Sequence, residues 1–319
     1  MNILVTGAAG FIGSYVVEAL LARGDTVAGL DNFDDYYDPA RKRANIALSM
    51  SSPRFTLHET DVRNMDRMER ICSEGEFDAV IHLAALGGTQ HSIENGPLYT
   101  NVNVGGTVNI LEAARRAGIS YVVFASTSSV YGSTGLIPFR EDDALGHPLA
   151  PYPATKIAAE VMGHAYHNLF DLYFTALRLF SVYGPRGRPD MMPYHIIDCI
   201  VHEREFALYE AGQMYRDWTY VDDVVAGIVA AVDRPMSYQV INLGRGQPVR
   251  MADFVKLVEE MVAKPAKMTT PSAPPSEPLI TYADISKARD ILNYRPATPV
   301  AEGMHRLWEW YQAEILKSQ

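Results

Sequence analysis

Cysteine is almost absent: Cys72 and Cys199 are the only two in 319 residues, far apart and each in an apolar helical stretch. That excludes a disulfide framework and argues against a metal centre, so no metal is expected and both thiols read as buried packing. Positive charge is also short: 28 Lys and Arg stand against 38 Asp and Glu, a net charge of −10. Nucleic acid and anionic membranes are poor partners for such a surface, and any anionic ligand must be held by local arginines. Long apolar runs are missing too. Even Trp218 to Val232 is broken by Asp222-Asp223, so no membrane span is expected. No charged n-region with an apolar stretch precedes the first strand, which makes a cytoplasmic location the expectation. Repeats and low-complexity tracts are not evident. The 48% hydrophobic content supplies a sizeable core, and the length suggests two packed units.

The chain opens on Asn2-Ile-Leu-Val-Thr6, an apolar run suited to a buried parallel strand, and Phe11 to Arg23 carries apolar residues at helical spacing. Between them lie Gly7, Gly10 and Gly13. A side chain at Gly7 or Gly10 obstructs a tight turn or the close approach of phosphates, and Gly13 lets the helix lie close on the sheet. The helix N-terminus, around Phe11 and Ile12, offers unpaired N–H groups to a pyrophosphate. A second run, Thr26 to Leu30, ends at Asp31-Asn32, 18 residues past Gly13. An acid there suits the adenine-side ribose hydroxyls and repels a 2′-phosphate, so the cofactor expected is NAD, not NADP.

Further apolar runs at Phe55–Glu59, Ala79–Leu83, Tyr121–Ala125 and Phe174–Arg178 alternate with helical stretches. This pattern predicts an α/β chain with a Rossmann-like doubly wound parallel sheet. Asp61-Val62, Leu83-Ala84-Ala85 and Ser126-Thr127 follow strands and therefore face the ligand crevice at the strands' carboxyl ends. Beyond about Ser181 the pattern loosens. We expect residues 1–180 to form the NAD-binding domain, with a segment near 215–245 returning to it, and residues 181–319 to form a smaller α/β substrate domain. Lys264 to Tyr282, with five prolines, reads as a long loop. From Val300 to Leu316, the residues Met304, Leu307, Trp308, Tyr311 and Ile315 share one helical face and read as core.

Tyr152 and Lys156 are one helical turn apart on the same face, and Pro153 suits a first turn. An ammonium beside a phenol favours the phenolate, so the expectation is that Tyr152 is the base, with Thr127 as a third member passing a proton.

With these motifs in place, the chain resembles the extended short-chain dehydrogenase/reductase superfamily over nearly its whole length, and its nucleotide-sugar epimerases in particular. The resemblance rests on Gly7/Gly10/Gly13, Asp61-Val62, His82-Leu-Ala-Ala85, Asn103-Val104 and Ser126-Thr-Ser-Ser-Val-Tyr-Gly132. It continues through Tyr152/Lys156, Arg178-Leu-Phe-Ser-Val-Tyr-Gly-Pro185 and Arg216 to Asp223. Asp31 to Pro39 and Gly184-Pro-Arg-Gly-Arg-Pro-Asp-Met191 look most like UDP-glucuronate 4-epimerases. The resemblance implies NAD-dependent inversion at C4 through a 4-keto sugar, a homodimer packed through cofactor-domain helices, and Asn103 among the cofactor-binding residues. It also places the diphosphate near Arg216 and Ser181 and the uracil beside Ala207-Leu-Tyr209.

A 4-keto sugar acid is a β-keto acid and can lose carbon dioxide. Ser128 and Ser129 are expected to hold the carboxylate, with charge from Arg186 or Arg188. Resembling decarboxylases carry a glutamate where Ser129 stands, and resembling 4,6-dehydratases carry Asp-Glu after the threonine. At Leu86-Gly-Gly-Thr-Gln-His91 the chain departs from the epimerase pattern, with Gln90 where an arginine is expected. The alternatives are a UDP-glucose/UDP-galactose 4-epimerase, a UDP-glucuronate decarboxylase or, more distantly, a non-catalytic NAD-binding sensor.

Overall fold

The computed structural model describes residues 1–318. Its centre is a seven-stranded, wholly parallel sheet: β1 (Asn2–Thr6), β2 (Thr26–Asp31), β3 (Phe55–Glu59), β4 (Ala79–His82), β5 (Tyr121–Thr127), β6 (Tyr173–Leu179) and β7 (Tyr238–Leu243). The spatial order is β7-β6-β5-β4-β1-β2-β3. Strands buried on both faces need continuous runs of β-branched, aromatic and small residues, and Ile3, Leu4, Val5, Val80, Ile81, Val122, Val123 and Phe124 are all without exposure.

The order reverses between β1 and β4, which opens a crevice at their carboxyl ends. His82 ties those ends together. Its Nδ1 lies 2.6 Å from Thr6 Oγ1 and its Nε2 3.1 Å from Thr107 Oγ1. Burial, with the Lys156 charge adding, pushes the imidazole down to about 3, so it is a neutral structural link.

Helices Met65–Gly75, Gly106–Ala117 and Pro151–Phe170 cover one face of the sheet. Helices Phe11–Arg23 and Val221–Val232 cover the other and pack on each other. That second apolar layer runs on without a break through Tyr194, Trp218, Phe254, Met304 and Tyr311 into the later part of the chain. The strand β7 follows an excursion through Met192–Val201 and pairs with β6 from Tyr238↔Phe174 to Leu243↔Leu179. Within the proline-rich segment, Lys267–Thr269 departs from the expected loop and pairs in parallel with Glu205–Ala207. The last helix, Val300–Trp310, passes into a wider turn over Tyr311–Ile315, with Met304, Leu307 and Tyr311 buried and Trp308 and Ile315 packed against them.

Cys72 and Cys199 are free and buried. Among the described residues no helix is long and apolar enough to cross a membrane, and no group of three or more His, Cys, Asp or Glu side chains is placed to hold a metal.

Candidate active site

A cavity of about 380 Å³ follows the carboxyl ends of the strands. Its floor is the turn after β1. Gly7 has φ +70°, and a Cβ there would lie 2.8 Å from Ala84 N, while a Cβ at Gly13 would lie 1.9 Å from Gly7 O. The helix Phe11–Arg23 starts at Gly10 with no side-chain cap. Its first N–H groups, from Phe11 and Ile12 onward, are therefore left for an anion in the cavity.

Asp31 closes the next wall. Its Oδ2 accepts from Ala9 N at 3.0 Å and its Oδ1 from Phe33 N at 2.9 Å. Two further acceptor positions on the carboxylate stay available for hydroxyls. Burial raises its pKa, with the Phe33 bond and Lys42 opposing. Asp61 takes Asn32 Nδ2 at 2.8 Å and both sides of the Arg63 fork, which hold it at about 2 despite partial burial. A glycine cradle that no Cβ can share, an uncapped helix start and a hydroxyl-accepting acid fit NAD.

Val62, Leu83, Ala84 and Ala85 line the middle of the cavity. Asn103 does not. It stands behind the wall, taking Leu86 N at 2.8 Å and giving to Leu86 O and Thr155 Oγ1 at 3.0 Å, so it shapes the 83–86 loop. Ser126 lines the cavity, yet its hydroxyl is spent on Glu160 Oε1 at 2.5 Å.

Thr127, Ser128, Ser129, Tyr152, Lys156, Ser181 and Arg188 meet at the far end. Thr127 Oγ1 donates to Ser129 Oγ at 3.2 Å. The Tyr152–Lys156 relationship differs from expectation: Lys156 Nζ donates to Ala125 O at 2.9 Å and lies 4.6 Å from the Phe124 ring centre. Burial pushes this ammonium down to about 7, against Glu160. Tyr152 is raised by burial, and what pulls it back is a Thr127 bond and the Arg188 charge.

Of the two candidate arginines, the structure brings only Arg188 to the cavity. Arg186 sits in the left-handed region (φ +64°), which turns its side chain onto the helix Phe11–Arg23. There it donates to Glu18 at 2.8 Å and lies over Tyr15. Arg216 lines a smaller adjoining cavity with Ser276 and Glu277, and the two cavities share Thr89, Ser128, Ser129 and Ser181. Arg216 Nη2 donates to Glu277 Oε2 at 2.9 Å. Ala207 and Tyr209 reach neither cavity. Ala207 is taken up in the strand pair with Lys267–Thr269, and Tyr209 opens a short turn. Sequence reasoning missed Asp34, Tyr36, Tyr37 and Lys42 on the wall; Gln90, singled out as a departure from the epimerase pattern, donates from Nε2 to Ser276 Oγ at 2.9 Å. The run of acids and tyrosines after β2 was the available signal.

Residues 3–244, which span β1 to β7 and most of this site, match the model of the NAD dependent epimerase/dehydratase family. The chain belongs to that family. It is 38% identical over 318 residues to a UDP-glucuronate 4-epimerase of Thermodesulfobacterium geofontis, covering 99% of this chain and 98% of the relative. Among solved members of the family, UDP-glucuronic acid 4-epimerase from Bacillus cereus, in complex with UDP-glucuronic acid and NAD, superposes with a TM-score of 0.92. The two are 34% identical, over 98% of this chain and 99% of that one. A dTDP-glucose 4,6-dehydratase from Streptomyces venezuelae also reaches 0.92, at 28% identity and 98% coverage of both chains. Backbone likeness therefore leaves the choice between epimerase and dehydratase to the side chains of the site.

Proposed function

We propose that the chain is an NAD-dependent UDP-sugar 4-epimerase interconverting UDP-glucuronate and UDP-galacturonate. The observation that carries this is the composition of one cavity end: a tyrosine base, a run of Thr127, Ser128 and Ser129 free of acidic side chains, and the Arg188 guanidinium. Hydroxyls and a guanidinium are what a sugar carboxylate needs, while an acid among them would repel it.

Gly7, Gly10, Gly13 and the helix start would hold the NAD pyrophosphate, and Asp31 and Asn32 the adenine-side ribose. When bound, NAD supplies a reversible acceptor for the C4 hydride. Tyr152 takes the proton of the sugar's 4-hydroxyl, and Thr127 steadies the same oxygen. The Arg188 charge favours the phenolate, and Lys156 adds to it once its ammonium turns from Ala125. Ser128, Ser129 and Arg188 hold the carboxylate of the 4-keto sugar against loss of carbon dioxide. Arg216 and Ser181 hold the diphosphate, and inversion follows when the sugar presents its other face. On this reading residues 1–180 with the 215–245 return serve NAD, and 181–319 mainly serve the UDP-sugar.

The protein is further read as a cytoplasmic homodimer. Val161, Leu169 and Phe170 on the helix Pro151–Phe170 and Leu98 beside it are exposed apolar side chains on the cofactor side, which supports pairing there.

The test is incubation of purified protein with UDP-glucuronate, without added cofactor, and mass-resolved chromatography. An isobaric UDP-galacturonate is expected. A product lighter by carbon dioxide would make it a decarboxylase, and no reaction even with added NAD would overturn the acid-sugar reading.

A further inference from the structure

Two segments distant in sequence meet at Arg188. One is the loop after β2, where short side chains bond their own backbone. Asp31 Oδ1 accepts from Phe33 N, Asn32 Oδ1 from Asp34 N at 3.0 Å, and Asp34 Oδ1 from Tyr36 N at 2.9 Å. Such closures fix a loop by itself, because the side-chain oxygen reaches the amide two residues on. They carry the chain from the ribose-facing acid to Tyr36.

The other segment is Arg188 to Asp190. Arg188 Nε and Nη2 both donate to Asp190, each at 2.9 Å, and Tyr36 Oη donates to Asp190 Oδ2 at 3.1 Å. The guanidinium lies over the Tyr36 ring, 5.6 Å from its centre. The same ring is held edge-on by His91 at 4.8 Å.

Gly87 and Gly88 complete the arrangement. A Cβ at Gly87 would lie 2.7 Å from Arg188 Nη1, and one at Gly88, where φ is +96°, 2.6 Å from Tyr36 Oη. The double glycine in the stretch where this chain departs from the epimerase pattern is therefore the space into which both heads fit. Nη1 has no hydrogen-bond partner among the described residues, and Arg188 lines the cavity. Gln90, in the place of the expected arginine, points elsewhere, to Ser276. Among the described residues of this wall, Arg188 is the one guanidinium.

We infer that Tyr36 and Asp190 are positioning residues for specificity: Asp190 holds the Nε–Nη2 edge of the Arg188 fork, and Tyr36 fixes Asp190 through Oη and supports the guanidinium with its ring, so that Nη1 meets the sugar carboxylate. Preference for an acidic over a neutral UDP-sugar is then set by a contact between the ribose-side loop and Asp190. A guanidinium fork free to swing recognises a carboxylate poorly, whereas one locked at two donors presents the third in a fixed direction. The inference rests on the UDP-glucuronate reading given above.

Tyr36→Phe keeps the ring beneath the guanidinium and removes only the Oη bond. With NAD-loaded protein, dissociation constants of UDP-glucuronate and UDP-glucose are measured by calorimetry side by side, with KM and kcat for the acid. The expected result is an acid affinity weakened about tenfold with the neutral sugar changed less than about twofold, and KM rising more than kcat falls. Asp190→Asn should act in the same direction, and Asp190→Glu should keep more of the preference. Equal losses on both sugars would mean a merely structural role and overturn the inference, as would an unchanged acid affinity in Tyr36→Phe. Either result leaves the functional reading intact if the unmodified protein turns over UDP-glucuronate. Unmodified protein that binds both sugars alike overturns the inference, and the functional reading falls with it only if UDP-glucuronate is not turned over. Should Asp190→Asn fail to fold, Tyr36→Phe decides alone.

Discussion

Arg178, on β6, holds Glu160, from the helix Pro151–Phe170, through Nε at 3.1 Å and Nη2 at 2.8 Å, with both side chains 5% exposed. Glu160 also receives Ser126 Oγ and lies one helical turn after Lys156. The pair thus fixes the end of β5 and the register of the helix that carries Tyr152.

Removing one partner should cost far more than removing both. Glu160→Gln leaves a buried guanidinium uncompensated, and a loss of about 3–5 kcal/mol is expected, whereas Glu160→Met with Arg178→Met costs less. Urea unfolding midpoints of the two variants check the order.

Tyr152→Phe should lower turnover by a factor on the order of 10³, since a proton acceptor at the reacting oxygen is lost. The phenyl ring still fills its place, so NAD content, read by absorbance of the denatured extract, should be unchanged.

Burial of Lys156 has a pH signature. Its folded pKa, about 7, lies below the ordinary 10.5, so between those values the unfolded chain binds the extra proton and stability rises with pH. Below pH 7 the buried charge carries its full cost, and above 10.5 none. Lys156→Met should therefore gain stability over the unmodified protein at pH 6, by a few kcal/mol at most, and the gain should shrink by pH 9.5. Paired thermal melts in the absence of added NAD measure this, and a gain that grows with pH would contradict it.

Gly13→Ala should abolish NAD retention while the chain still folds. The added methyl has to displace Gly7 O, 1.9 Å away, and with it the turn that faces the pyrophosphate.

Arg188→Ala and Arg216→Ala should part company on the sugar. Loss of Arg216, beside the shared serines, should weaken UDP-glucuronate and UDP-glucose alike, by about 10–100-fold. Loss of Arg188 should weaken the acid alone. Competition binding on the NAD-loaded protein separates the two patterns.

Much of the cofactor half was legible in the sequence, because buried parallel strands write themselves as apolar runs and the turn after β1 tolerates only glycine at Gly7 and Gly13. Six strands could be located in this way. The seventh, Tyr238–Leu243, was foreseen only as a returning segment, since its first half is partly exposed and its pattern is mixed. In the site, spacing alone brought Tyr152 and Lys156 to one helical face but said nothing of χ angles, and Lys156 turns to Ala125. Arg186 and Arg188 are equivalent on paper. A left-handed backbone at Arg186 separates them, and no local pattern announces it. The surroundings of Ala207 were not legible for a related reason: they are set by strand pairing with Lys267–Thr269, a contact across about sixty residues of chain.

The position of β7 bears on how the protein is made. β6 ends at Leu179, and the strand that covers its outer edge starts at Tyr238. At a ribosome adding about 5–20 residues per second, that edge, with its row of unpaired N–H and C=O groups, stays open for several seconds. In that interval a nascent chain can pair with a neighbour on the same message. Expression at lower temperature or with a strand-binding chaperone should therefore raise the yield of this protein.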